Sequence, residues 1–117
     1  DGDGDVDLVV VNRDHPAHLL RNVTARGSWL ILRVLDSDGG EAAGAIVTIH
    51  TRGGGRQTRL VGGAYGYASA NDPRVHFGFG EGETPESISV RWPDGVVERF
   101  PPATLNASHA LRRARGR

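Results

Sequence analysis

Short runs of β-branched and other apolar residues recur along the chain, separated at regular intervals by glycine, proline or aspartate. They predict strands over 6–12, 18–23, 28–35, 45–51, 56–62, 74–79, 87–92, 96–100 and 108–114. No stretch keeps a helical period over about 11 residues. The separators read as turns: Asp36-Ser37-Asp38-Gly39-Gly40, Gly53-Gly54-Gly55 and Pro93-Asp94-Gly95. In the last, Pro93 presets the first turn dihedral and Gly95 can take the left-handed position that returns a hairpin. Alternation places Ile88, Val90 and Trp92 on one face of a strand and Ser89 and Arg91 on the other. Val75 and Phe77 share a face in the same way, and with Ile46 these residues are expected to point into a core. The predicted fold class is all-β, a small antiparallel β-sandwich or barrel.

Composition narrows the picture. A chain of 117 residues with 17 glycines has about twice the usual ~7% glycine, as turn-rich β-proteins do. Formal net charge is zero, so no global field draws the protein to nucleic acid or to a membrane. The absence of cysteine excludes disulfides, thiolate metal sites and cysteine nucleophiles. There is no apolar run near 18 residues, no signal peptide and no initiator methionine, which fits an internal or C-terminal piece of a longer protein. All 14 basic residues are arginine, which reflects codon bias more than a functional choice.

The first seven residues carry the sharpest chemical signal: Asp1-Gly2-Asp3-Gly4-Asp5-Val6-Asp7. Carboxylates at alternate positions with a glycine at the turn are the donor pattern of a calcium loop. With Asp1 as first ligand, Val6 would occupy the turn position, which a β-branched residue resists. With Gly4 at the turn, Asp1, Asp3, Asp5 and Asp7 take the third, fifth, seventh and ninth places, and Asp5 contributes its carbonyl. The second register is preferred, and it places the first ligand upstream of Asp1. The competing reading is an acidic turn that stays solvated; the strand-like continuation Leu8–Asn12 favours the metal loop. Calcium is therefore expected in the full-length protein, and weak calcium binding in this stretch alone.

A second polar cluster follows Tyr65 and Tyr67: Asn71-Asp72-Pro73-Arg74-Val75-His76. Alternation puts Arg74 and His76 on the face opposite Val75 and Phe77. One reading is a ligand-binding patch of Tyr65, Tyr67, Asp72, Arg74 and His76. The other, which is preferred, is a capped turn in which Arg74 pairs with Asp72. No catalytic residue is assigned. The histidines are scattered, with only His15 and His18 closely spaced, and no serine lies in a nucleophile elbow. The glycine runs lack the strand-to-helix setting and the lysine of a phosphate loop. The sequons Asn22-Val23-Thr24 and Asn106-Ala107-Ser108 read as coincidence, and the arginines of 112–117 as a solvated tail.

Residues Asp1–Asn12 with Leu19-Leu20-Arg21-Asn22 resemble the end of an FG-GAP (VCBS-type) repeat of a β-propeller. Residues from about 28 to 113 resemble the ASPIC/UnbV domain of the cartilage acidic protein family and its bacterial relatives. The second resemblance is carried by Gly44-Ala45-Ile46-Val47-Thr48, Gly63-Ala64-Tyr65-Gly66-Tyr67, the block Ser69–Gly80 and Val90-Arg91-Trp92-Pro93-Asp94-Gly95. Ala70 stands where the family usually has glutamine, and Phe79 where leucine is usual. Together the resemblances divide the chain at 1–25, a partial calcium-loop repeat in the form of a β-ribbon remnant of a propeller blade, and 26–117, the ASPIC/UnbV-like β-domain. They imply a secreted, extracellular or periplasmic protein whose partners are upstream propeller repeats of the same chain. An extracellular ligand or glycan is a possible further partner, and the zero net charge and lack of a long apolar run predict no nucleic acid and no membrane span. The expected function is a non-catalytic module that packs on a calcium-binding propeller and contributes to ligand or matrix binding. The alternatives are part of a cofactor-independent enzyme pocket, lined by Tyr65, Tyr67, Arg74, His76 and Trp92, or a carbohydrate-binding module. Either alternative needs at least two of the three aromatics exposed around one concavity.

Overall fold

Strand alternation decides which side chains the chain buries, and the buried ones come from two facing sheets. The computed structural model describes residues 1–24 and 27–114. Along β3 (Ser28–Leu35), Leu30, Leu32 and Val34 are fully buried while Trp29, Ile31 and Arg33 take the opposite phase. β3 is the middle of a three-stranded sheet. It pairs antiparallel with β6 (Val75–Phe79), setting Leu30 opposite Phe77 and Ile31 opposite His76. It pairs in parallel with β9 (Ala107–Arg112). The second sheet has the order β5 (Arg56–Leu60), β4 (Ile46–Thr51), β7 (Pro85–Arg91), β8 (Val97–Phe100) and is antiparallel throughout. Val47 and Ile49 meet Val90 and Ile88 across β4 and β7. The inner faces of both sheets, with Trp92, form one buried cluster around Phe77.

All-β is thus the fold class, and no helix occurs among the described residues. The sheets stack as a sandwich and do not close into a barrel. The parallel β3–β9 pair makes the sandwich mixed, because β9 returns to β3 only after the whole domain has been threaded. All the predicted strands form, several of them a few residues shorter than expected. The Pro93 turn closes as the sequence indicated. Trp92 N–H donates to Val96 O at 2.8 Å, Gly95 N–H returns to Trp92 O at 2.8 Å, and Gly95 is left-handed at φ +90.

One core expectation is corrected. Ile46 is only half-buried, and the inward phase of its strand is Val47, Ile49 and Thr51, preceded by buried Ala45. The run Ala45-Ile46-Val47 is apolar in both phases, so pattern alone leaves its phase undetermined; the register with Ile88 and Val90 sets it.

The N-terminal segment forms a separate two-stranded ribbon, β1 (Leu8–Val10) with β2 (His18–Leu20), closed by Asn12 Nδ2–H donating to Pro16 O at 3.0 Å. Leu8, Val9, Leu19 and Leu20 are all exposed on it. The expected division between ribbon and domain falls at Ala25 and Arg26, and the expected arginine tail includes Arg115 and Arg117; these four lie outside the described residues.

Candidate functional site

The acidic loop does not hang free. It lies against the outward phase of the three-stranded sheet, which explains why that phase carries Trp29 and Ile31. Gly4 is buried and left-handed at φ +96, and a β-carbon built on it would stand 2.1 Å from Trp29 Nε1. Only glycine fits so close an approach. The Gly4 carbonyl accepts a hydrogen bond from His76 Nε2 at 2.7 Å. A carbonyl can only accept, so this ring nitrogen carries the proton. Val6 is not left-handed, whereas Gly2 and Gly4 both are.

Within the loop, Asp1 Oδ1 accepts the Asp3 N–H at 3.3 Å and Asp3 Oδ1 accepts the Asp5 N–H at 3.1 Å, two successive Asx turns. Asp7 ties the loop to the ribbon: its carboxylate accepts the Asn22 N–H at 2.8 Å and the Asp1 ammonium at 3.2 Å. The Asn22 N–H, and after it the ammonium, hold the Asp7 carboxyl below its ordinary pKa. Arg21 Nε pairs with Asp1 at 2.9 Å. Calcium fits this donor set in chemistry, since every side chain offered is a carboxylate and the turn glycine is left-handed. The count is incomplete, because no three metal-type side chains converge among the described residues. Further oxygens or water would have to complete the shell. Asp1, Asp3, Asp5 and Asp7 thus line one turn without forming a finished cage.

The second cluster is organised from its own turn. Asn71 closes the Tyr65–Tyr67 loop, its main-chain N–H donating to Gly63 O at 2.8 Å and its side-chain amide donating to the same oxygen at 3.1 Å. Asp72 Oδ1 accepts the Arg74 main-chain N–H at 2.9 Å, and the Asp72 carboxylate takes the Arg74 guanidinium through both Nε and Nη2. This is the capped turn with an internal ion pair that the sequence favoured. Arg74 holds the Asp72 carboxyl below its ordinary pKa, and Asp72 raises that of Arg74.

The two clusters meet. Gly2, Gly4, Asp5, Val6 and Asp7 form one wall of a hollow of about 300 Å³, and Ile31, Tyr65, Asp72, Arg74 and His76 form the other. An adjoining hollow of about 390 Å³ runs past Tyr65, Arg74 and His76 to Arg59 and Leu60. Four of the five candidate patch residues therefore share a cavity with the acidic loop. Tyr67 projects wholly into solvent at 101% relative exposure and lines neither hollow. Trp92, at 1%, belongs to the core, which removes it from any pocket. A wider groove of about 510 Å³ lies farther along the same sheet, but its charges meet in the pairs Arg33–Glu41 and Arg74–Asp72.

Other sequence candidates are absorbed locally. His109 Nε2 meets Thr104 O at 3.0 Å, Asn22 Oδ1 accepts the Thr24 N–H, and Asn106 Oδ1 accepts the Trp29 N–H. Both sequon asparagines thus use their side-chain oxygens within the fold. Trp29 is the site residue that sequence reading missed.

The family model described as ASPIC and UnbV matches residues 36–117, well over half of the chain. The chain belongs to the ASPIC and UnbV family. The match takes in the Tyr65–His76 side of the hollow and leaves the acidic loop, the ribbon and β3 outside it. Of the two departures noted in this ASPIC and UnbV domain, Phe79 fills the core and Ala70 is exposed. No curated protein matches the chain. Among the described residues no helix is long and apolar enough to cross a membrane.

Proposed function

We propose that this ASPIC and UnbV domain is a non-catalytic extracellular module that packs on a calcium-carrying propeller and offers the Tyr65–His76 hollow to a ligand or matrix component. The observation that carries the reading is the seat of Gly4 between Trp29 and His76, which joins a calcium-type loop to the outer face of the β-domain. The exposed apolar ribbon supports it as well. Two strands alone are marginal in water, and Leu8, Val9, Leu19 and Leu20 are surfaces for further strands of the same polypeptide. Within the hollow Asp72 and Arg74 are engaged with one another and His76 with the Gly4 main chain. An oxygen site with few protein ligands is expected to bind calcium at about 10⁻⁴–10⁻³ M.

Calorimetric titration of the chain with calcium tests the loop. Binding in that millimolar range is expected. Asp3→Asn should abolish it, while Asp5→Asn, which keeps its main-chain carbonyl, should bind nearly as the unsubstituted chain does. Equal losses at both positions would reject the register, and no heat at several millimolar calcium would reduce the loop to an acidic turn. Of the three aromatics that a carbohydrate-binding or enzyme pocket required in pairs, only the exposed Tyr65 borders the hollow, so neither alternative is carried forward.

A further inference from the structure

We propose that the outer face of the four-stranded sheet is a docking surface for a sulfated polysaccharide, held by Arg56, Arg91 and Arg99 over a floor of hydroxyls. This face belongs to the other sheet of the sandwich from the one that carries Arg74 and His76. The proposal does not depend on the reading of the acidic loop.

The ladders fix which side chains share the face. Val47, Ile49, Ile88 and Val90 are fully buried, so the alternate residues of the same strands point outward. Three rows result. Arg56, His50 and Ser87 lie side by side across β5, β4 and β7. Thr58, Thr48, Ser89 and Arg99 cross all four strands, with the two threonine hydroxyls 3.2 Å apart. Leu60, Ile46, Arg91 and Val97 form the third row.

No carboxylate stands in any of these rows. The four strands hold two: Glu98 is buried in the inward phase of β8, and Glu86 sits at the bulge where β7 enters the ladder, beyond the first row. Elsewhere Arg21, Arg33, Arg74 and Arg113 are each paired with a carboxylate. Among the described residues no ion pair engages Arg56, Arg91 or Arg99. A protein of zero net charge thus gathers unpaired cations on one face. Arg91 and Arg99 are also diagonal neighbours on adjacent strands, about 7–8 Å apart at the backbone. Their like charges repel, and an anion seated between them relieves the repulsion.

Shape and chemistry select the partner. Beside Arg99 and His50 the face sinks into a hollow of about 230 Å³, with Ser87, Ile88, Ser89 and Val97 as its other walls. The short hydroxyl side chains lie lower than the guanidiniums, where a planar lipid surface does not reach them and a single extended chain does. Guanidinium forks match tetrahedral oxyanions, and serine and threonine hydroxyls both donate and accept, as sugar hydroxyls require. Such binding is ionic and needs no stacking ring, unlike the pocket considered at Tyr65. A single-stranded nucleic acid would need aromatic side chains for its bases, and the three rows hold no Phe, Tyr or Trp. A duplex would need a helix or a two-stranded ribbon for its major groove, and this face is four strands wide.

The test measures heparin binding by calorimetry at low salt in the presence of a chelator. It compares the unsubstituted chain, the double variant Arg91→Gln with Arg99→Gln, and the double variant Arg13→Gln with Arg21→Gln, which removes the same charge from the N-terminal ribbon. Heparin should bind the unsubstituted chain and be released as salt rises. The sheet variant should bind roughly tenfold more weakly, with an unfolding midpoint unchanged or raised because a repulsion has gone. The ribbon variant should bind as the unsubstituted chain does. Equal weakening in both variants would mean that only total charge matters, and it overturns the assignment to this face. Duplex DNA or phosphatidylserine vesicles bound more tightly than heparin would overturn the choice of partner. No heparin binding at low salt sinks the proposal outright, and none of these outcomes bears on the calcium titration.

Discussion

Replacing Gly4 by alanine sets two costs against each other, and the smaller of them decides what is observed. If the loop stays seated, alanine must hold a left-handed backbone at φ +96, on the order of 1–3 kcal/mol. Its β-carbon must also displace the Trp29 indole, which an ideal atom would approach to 2.1 Å; overpacking of that kind costs about 1–3 kcal/mol more. If the loop lifts away, the chain loses the bond from His76 to the Gly4 carbonyl, about 0.5–1.5 kcal/mol net. It also loses a small glycine–indole contact, below about 1 kcal/mol at 25 cal/mol per Å². Lifting is the cheaper route.

The expected outcome for Gly4→Ala is therefore a loss of about 1–2 kcal/mol in urea unfolding together with a freed Trp29. The two tryptophans separate these effects. Trp92 is in the core and stays protected from acrylamide in both proteins, whereas Trp29, half-buried under the loop, becomes quenchable. A loss above about 4 kcal/mol with Trp29 still protected would mean that the loop is held in place by far more than this seat. No change in either quantity would mean that Gly4 does not lie against Trp29 in solution.

Phe77 is fully buried at the centre of β6 and carries Arg59 over its ring at 5.4 Å, so Phe77→Ala should cost about 3–5 kcal/mol; an unmoved denaturant midpoint would place the ring outside the core. Asp72 titrates below its ordinary value in the folded state because Arg74 holds it ionised. The stability it contributes is therefore present above the unfolded value near ~3.9 and is lost as pH falls from there through the lower folded pKa. Both partners are about half exposed, so Asp72→Asn should cost no more than about 1 kcal/mol at neutral pH and should flatten the acid limb of the unfolding profile. An acid limb identical in the two proteins would show that the pair contributes nothing.

The strands were legible because each inward run alternates cleanly and each turn carries its own chemistry. Val75-His76-Phe77 and Ile88-Ser89-Val90 admit only one phase, and Pro93-Asp94-Gly95 admits only a return. Legibility failed where the pattern is degenerate. Ala45-Ile46-Val47 can present either face, and a partner strand had to choose. Pairing between distant elements was also beyond reach: nothing in Ala107–Arg112 says that it will lie parallel to Ser28–Leu35, since both read equally well as antiparallel members.

The site was legible in halves. Alternating carboxylates marked Asp1–Asp7, and the turn chemistry of Asn71–Arg74 marked the opposite wall, each by local rules. Their meeting is a contact between residues 72 apart in sequence, and no local rule reaches that far. One signal did point to it. In Ser28–Leu35 the inward phase Leu30, Leu32, Val34 is complete, yet the outward phase begins with Trp29 and Ile31. Two large apolar side chains side by side on the solvent phase of a strand are expensive to leave wet. Opposite them, β6 offers His76 and Gly78, a donor and a gap. An apolar floor, a proton donor and an empty position together describe a face shaped to receive main chain, and a buried, left-handed glycine is the segment that fits it.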